Sequence, residues 1–256
     1  MIRNIFLALI FISAAVFSGC AGKGQKNEAA SAEEQANSAP DTGFTGIKKF
    51  YSKDQLTYEA TFKNGIRDGL MTTYYPSGKV RQTFQYTNGL REDTAIWYFE
   101  DGRIFRKTPF RGDSINGTQI QYYGSGRVRA KLEYVNGLRK PTLEEWDKDG
   151  GKITTYPDVV VKVNDQYAQA GVYTISLGVS KEKVKVNFYR GEFTDGLFAP
   201  KKLKKINTTD FTGSLQLTKS GKTQPSYVGI IAEISTALGN KLLVYKKVDL
   251  PYNDLN

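Results

Sequence analysis

The chain predicts an all-β protein, a sheet of stacked β-hairpins followed by a second unit of short strands. Three observations predict it. Gly78, Gly102, Gly126 and Gly150 recur with a spacing of 24 residues. Between them Tyr, Thr, Val and Phe alternate with polar residues, which is the period of a half-buried strand. After Gly150 the period ends, and apolar runs bounded by turn residues follow at irregular spacing.

The elements follow in chain order. Arg3 is the one charge of the first residues, an apolar run covers Ile5 to Phe17, and Ser18-Gly19-Cys20 closes it. A basic start, a short apolar core and small residues before a break make a secretory leader over residues 1–19. The run is shorter than the about 20 apolar residues that a membrane-crossing helix needs. Cys20 is the single cysteine among 256 residues. Residues 20–46 are rich in Ala, Ser, Gly, Glu and Gln, with no aromatic before Phe44. Such a stretch buries too little apolar area to offset its ordering entropy, so it reads as a flexible tether.

The hairpin array is expected over residues 47–153. An aromatic precedes each repeat glycine by four: Tyr74, Tyr98, Tyr122 and Trp146. Phe62, Tyr86, Phe110 and Tyr134 keep the same step of 24, as do Leu56, Val80, Ile104 and Val128. Asn64-Gly65, Asn88-Gly89 and Asn136-Gly137 are hairpin-turn pairs, with Gly112-Asp113 in the remaining copy. Alternation places Val80, Phe84 and Tyr86 on one face, and Arg81, Thr83 and Gln85 on the other. One hairpin cannot bury its apolar face alone; stacking on neighbours solves this. Two strands per unit advance a sheet by about 10 Å, so the array is a twisted ribbon about 45 Å long. Gly151 reads as an insertion, because Ile153 falls one place late.

Residues 156–256 are expected to form an immunoglobulin-like β-sandwich. The candidate strands are 159–163, 172–177, 184–189, 213–217, 227–234 and 241–248, with a seventh at 192–198 or 203–206.

The leader resembles a bacterial lipoprotein signal, carried by Phe17-Ser18-Gly19-Cys20. The usual pattern has Leu where Phe17 stands. The resemblance implies diacylation of Cys20, cleavage before it and, with Ala21 following, an outer-membrane anchor on the periplasmic face or the cell surface. Two or three acyl chains hold stably where one is marginal. The hairpin units resemble divergent bacterial MORN repeats, carried by Tyr74-Tyr75, Gly78-Lys79 and Asn88-Gly89-Leu90, with Gly69 and Gly117 at unit ends. That resemblance implies protein assembly or contact with acidic phospholipid; some bacterial members carry an antitoxin label. Asp93-Thr94-Ala95 and Asp113-Ser114-Ile115 resemble O-glycosylation triplets of Bacteroidetes, with Thr94 and Ser114 as acceptors.

The charge is +10, and +9 once Arg3 leaves with the leader. The array holds 19 basic and 13 acidic residues and residues 154–256 hold 14 and 9, so both are mildly basic. This favours anionic partners such as phospholipid heads or acidic glycans. Nucleic acid fits the charge too, but an exported protein rarely meets it. Lys79, Arg103 and Arg127 occupy one repeat offset, and Arg67, Arg91 and Arg139 another. Stacked at about 10 Å, such ladders track an anionic polymer, or simply stand solvated and guard an edge. Lys201-Lys202-Leu203-Lys204-Lys205 carries the same two readings.

The chain has no histidine. With Cys20 given to lipid, His-based triads, Cys-His pairs and His or Cys zinc sites are excluded. No phosphate-binding or dinucleotide motif occurs. Carboxylates that chemistry could pair are Glu100-Asp101, Glu144-Glu145, and Asp147 with Asp149. Asp147-Lys148-Asp149-Gly150 opens like a calcium loop but lacks its closing Glu. The sequence therefore predicts an envelope lipoprotein acting as a protein-binding scaffold. It is expected to be neither an enzyme nor a holder of metal or cofactor. The alternatives are a binder of anionic glycan or phospholipid, and an antitoxin-like variant.

Overall fold

Turn chemistry sets the sheet. Asn64-Gly65, Asn88-Gly89, Asn136-Gly137 and Gly112-Asp113 all stand at positive φ, as a tight hairpin reversal requires. The opposite reversals close on Gly78, Gly102, Gly126 and Gly150, whose N–H groups donate to the carbonyls of Tyr75, Phe99, Tyr123 and Asp147. The computed structural model describes residues 43–223 and 226–256; the leader, Cys20 and the tether up to residue 42 lie outside the described residues.

Eleven strands form one antiparallel sheet in chain order. They are β1 (Gly46–Ser52), β2 (Gln55–Lys63), β3 (Ile66–Tyr74), β4 (Val80–Thr87), β5 (Leu90–Tyr98), β6 (Ile104–Arg111), β7 (Ser114–Ile115), β8 (Gly117–Tyr122), β9 (Val128–Val135), β10 (Leu138–Trp146) and β11 (Lys152–Ile153). One face is buried and carries Ala60, Met71, Phe84, Ala95, Thr108, Ala130 and Leu132.

A β-bulge recurs at the start of every unit but the last and corrects two sequence expectations. Tyr74 pairs with Val80 but Thr73 pairs with Gln82, so Arg81 is the extra residue. The same slip leaves Phe105 and Arg129 unpaired in the next units. A one-residue slip reverses which face a side chain meets. Val80 is therefore 36% exposed, and Gln82, at 5%, takes the place beside Phe84 that alternation assigns to it. Gly151 is not an insertion. Asp147 N–H donates to the Gly151 carbonyl as Tyr123 N–H donates to Arg127, so Gly151 stands at the repeat offset of Arg127. Ile153 falls one place late because the last unit lacks the bulge: Trp146 pairs with Lys152 and Glu145 directly with Ile153.

Glycine is needed where β3 and β8 begin their run along a neighbour. Gly69 and Gly117 both have φ of +118°. A Cβ on Gly69 would stand 2.9 Å from Thr61 Cβ, and one on Gly117 would stand 3.0 Å from Pro109 Cγ.

The second unit contains β12 (Val159–Gln166), a one-turn helix α1 (Tyr167–Ala170), β13 (Val172–Val179), β14 (Val186–Arg190), β15 (Lys204–Ile206), β16 (Thr208–Thr209), β17 (Thr212–Thr218), β18 (Tyr227–Ser235) and β19 (Lys241–Asp249). Two four-stranded sheets, ordered β12-β13-β17-β16 and β15-β14-β18-β19, share one core. Ile175, Leu177 and Leu217 meet Phe188, Ile230 and Ile234, all fully buried. Each contributes about 1.5–3 kcal/mol of burial. Of the two places considered for a seventh strand, 203–206 forms β15. The segment 192–198 instead loops over the outer sheet face, where Phe198 packs on Ile231 and Leu243. The chain end closes the sandwich: Leu255 is 1% exposed, Thr218 and Asn256 exchange backbone hydrogen bonds, and Tyr252 stacks on Tyr167 at 3.7 Å.

Candidate functional site

The two cation ladders have different fates. Lys79, Arg103 and Arg127 sit at the glycine turns along one long edge of the sheet and are exposed. Arg103 is tied to Asp101 at 2.5 Å, and the guanidinium holds that carboxyl down at about 2. Arg127 donates to the Lys148 carbonyl at 3.0 Å. The Lys79 carbonyl accepts from Tyr75 N–H at 2.8 Å, and its ammonium adds to the attraction on Asp101.

Arg67, Arg91 and Arg139 lie on the buried face, half-buried. Each pairs across the ladder with an aromatic: Phe62, Tyr86 and Tyr134 respectively. Arg67 also lies 5.6 Å over the Tyr86 ring and Arg91 4.6 Å over Phe110. The result is an alternating stack, Phe62, Arg67, Tyr86, Arg91, Phe110, running across the strands. Cation–π contacts of this kind contribute about 0.5–2 kcal/mol each. Arg91 further holds Asp113 at 2.9 Å, which ties one Asn-Gly-edge turn to the next. These arginines cement the sheet. On the same face Arg106 lies 3.9 Å over Trp97.

The last repeat joins the sheet to the sandwich through a polar cluster. Residues Asp41–Asn256 form one compact unit. Glu145, on β10, is 1% exposed. Its Oε1 accepts hydrogen bonds from the Thr236 hydroxyl at 2.8 Å and the Asn240 amide at 2.6 Å. Both donors belong to the turn between β18 and β19, which closes by Gly239 N–H donating to the Thr236 carbonyl. Gln121 donates to Asn240 Oδ1 at 2.9 Å, Arg129 to the Leu238 carbonyl at 2.5 Å, and Arg139 to the Lys241 carbonyl. Phe198 N–H donates to the Arg139 carbonyl at 2.8 Å. Burial pulls the Arg139 pKa below its ordinary value.

Beside this joint lies a cleft of about 470 Å³. Its floor includes Glu145, Ile153 and Tyr156, its wall Val184 and Ala237, and its rim Lys181, Lys183 and Lys185. Burial first, and the Glu145 carboxylate second, push the Tyr156 hydroxyl up to about 12.

The carboxylates considered for chemistry do not converge. Asp101 is engaged with Arg103. Glu144 points to the exposed face and pairs with Lys152 at 2.5 Å, opposite to Glu145, as adjacent strand residues must. Asp147 Oδ1 accepts the backbone N–H groups of Asp149 and Gly151 at 2.9 and 2.8 Å. Among the described residues no group of three acidic side chains could hold a metal ion. Lys204 and Lys205 lie exposed on β15, an edge strand, with Lys201 and Lys202 in the 3-10 turn before it. Thr94 is exposed and Ser114 half-buried.

Two segments, residues 67–88 and 115–136, match the family model of a MORN repeat variant. Their starts lie two 24-residue periods apart. The copy between them lacks Asn-Gly and carries Pro109, whose ring fills the space beside Gly117. A search of curated proteins finds no significant match. Glu145, Thr236 and Asn240 had no sequence signal as a cluster. The one available clue is that Thr73, Gln121 and Glu145 share a repeat offset with Trp97, so the buried face carries a polar side chain there in three of four units.

Proposed function

We propose that this chain is an envelope lipoprotein, anchored by acyl chains on Cys20, that serves as a non-catalytic protein-binding scaffold. The observation that carries the reading is a row of exposed apolar side chains on the outer face of the repeat sheet. Ile66, Leu90 and Leu138 each follow a turn on the Asn-Gly edge and are 48%, 46% and 36% exposed. Each pairs across its turn with an outward residue, Lys63, Thr87 or Val135. Ile66 and Leu90 stand in neighbouring units and Leu138 two units beyond, past Ser114; exposed apolar side chains lined up along one edge mark an interaction surface. The MORN repeat match agrees with a scaffold role. Two four-stranded antiparallel sheets over one core support reading the second unit as an immunoglobulin-like sandwich.

The test is a photo-crosslinking residue at Leu90, with Ser214 on the outer sandwich face as control, in intact cells. A discrete adduct from Leu90 and none from Ser214 is expected; equal labelling at both positions refutes the scaffold face. Fatty-acid labelling that survives Cys20→Ala refutes the anchor. Binding of anionic glycan or lipid is the second reading, favoured by the exposed edge of Lys79, Arg103 and Arg127. It requires binding that falls steeply with salt and is lost in Arg103→Ala/Arg127→Ala. Of the two O-glycosylation triplets, exposure favours Thr94.

A further inference from the structure

The cleft beside the joint has the makings of a ligand site, separate from the scaffold face and from the lipid anchor. Glu145 is a buried carboxylate with no ion-paired cation among the described residues. Both of its hydrogen bonds fall on Oε1. The Tyr156 hydroxyl is buried against the same carboxylate and feels its charge. A buried charge left without a counter-charge is costly. An ammonium group seated beside Glu145 and the Tyr156 hydroxyl would relieve that cost.

The rest of the lining selects what such an ammonium belongs to. Ile153, Pro157, Val184 and Ala237 offer an apolar wall. Lys181, Lys183 and Lys185 at the mouth are exposed. They repel a simple amine and attract a ligand whose far end is anionic. A volume of about 470 Å³ is larger than one amino acid needs.

We infer that this cleft captures a short peptide by its free N-terminus, with the ammonium on Glu145, an apolar first side chain on the wall, and the terminal carboxylate among the three lysines. Capture of a chain terminus by a few convergent polar groups is a known mode of peptide recognition. Charge-assisted bonds give it strength, and the buried floor keeps them from being screened.

The experiment is calorimetric titration of the full chain, purified in detergent, with the dipeptide Leu-Ala. Saturable one-to-one binding is expected. N-acetyl-Leu-Ala, which lacks the ammonium, and Leu-Ala amide, which lacks the carboxylate, should each bind at least roughly tenfold more weakly. Glu145→Gln keeps an oxygen for Thr236 and Asn240 and removes the charge, so it should weaken Leu-Ala by at least roughly tenfold. No saturable binding up to about 10 mM overturns the proposal, as does acetylated peptide binding as tightly as free peptide. If Glu145→Gln folds poorly, Lys181→Glu/Lys183→Glu reverses the charge at the mouth on two exposed residues; unchanged affinity for Leu-Ala in that variant also overturns it.

Discussion

Glu145→Ala tests whether the polar joint makes the repeat sheet and the sandwich one cooperative body. The substitution removes the acceptor for Thr236 Oγ1 and Asn240 Nδ2, two donors in a turn that is itself buried, with Thr236 at 9% and Asn240 at 8% exposure. Leaving a buried donor without a partner costs about 1–3 kcal/mol each. Against this, removing a desolvated carboxylate regains part of its burial cost, and water from the adjoining cleft can reach one donor. The net loss is about 2–3 kcal/mol, or roughly 5–10 °C in unfolding midpoint for a unit of this size. Glu145→Gln retains the acceptor and should lose less than about 1 kcal/mol. The assay uses a convenience of the sequence: both tryptophans, Trp97 and Trp146, lie in the repeat sheet. Indole fluorescence therefore follows the sheet alone, and far-ultraviolet dichroism follows both parts. In the parent protein the two signals should melt together; in Glu145→Ala they should separate. Coincident melting with a midpoint within about a degree of the parent would refute the reasoning, as would Glu145→Gln being as damaging as Glu145→Ala.

Four other outcomes are expected. Gly69→Ala meets both a φ of +118° and Thr61 Cβ at 2.9 Å, so it should cost at least about 2 kcal/mol in denaturant unfolding. Gly78→Ala, with open space around its Cβ, should cost only about 1 kcal/mol. Leu255→Ala removes a side chain at 1% exposure from the sandwich core and should cost about 2–4 kcal/mol by the same measurement. Tyr74, Tyr156 and Tyr245 each titrate at about 12, with burial as the first cause. Their folded pKa lies above the unfolded value of 10, so the stability they carry is present below pH 10 and is lost as pH rises from there towards about 12. Tyrosinate absorbance should show an alkaline step coupled to loss of far-ultraviolet dichroism, and a titration of all tyrosines near 10 with the fold intact counts against it.

The repeat sheet is legible in the sequence because its signals are local. Asn-Gly and Ser-Gly fix turns within four residues, and strand alternation needs only the next neighbours. The bulges are not legible, because Arg81, Phe105 and Arg129 share no chemistry that marks an extra residue. That is why Val80 reads as core and stands exposed, while Gln82 is buried. The missing bulge in the last unit similarly makes Gly151 look inserted. The joint is illegible for another reason. Glu145 meets donors 91 and 95 residues away, and no pattern along one strand foretells which turn will dock on it. Reading Glu144-Glu145 as a pair fails on elementary geometry, since consecutive strand residues face opposite ways.

Repetition of a residue type does not carry repetition of its chemistry. Three of four units supply one cation beside the glycine turn, and three of four supply one beside the Asn-Gly-edge turn, and sequence alone treats the two sets alike. The difference is which face the strand presents at that register. Beside the Asn-Gly edge the arginine pairs with Phe62, Tyr86 or Tyr134 on the buried face, where a planar guanidinium can lie on a ring and still find hydrogen-bond acceptors. At the glycine turns the chain has left the sheet, so Lys79, Arg103 and Arg127 meet water. Lysine would serve poorly in the first set and adequately in the second. Arg67→Lys and Arg91→Lys together should then lower stability by about 1–2 kcal/mol through lost stacking. Arg103→Lys and Arg127→Lys together should change it by less than about 0.5 kcal/mol. Equal effects in the two double variants, measured by denaturant unfolding, would mean that the stack across the buried face contributes nothing to the sheet.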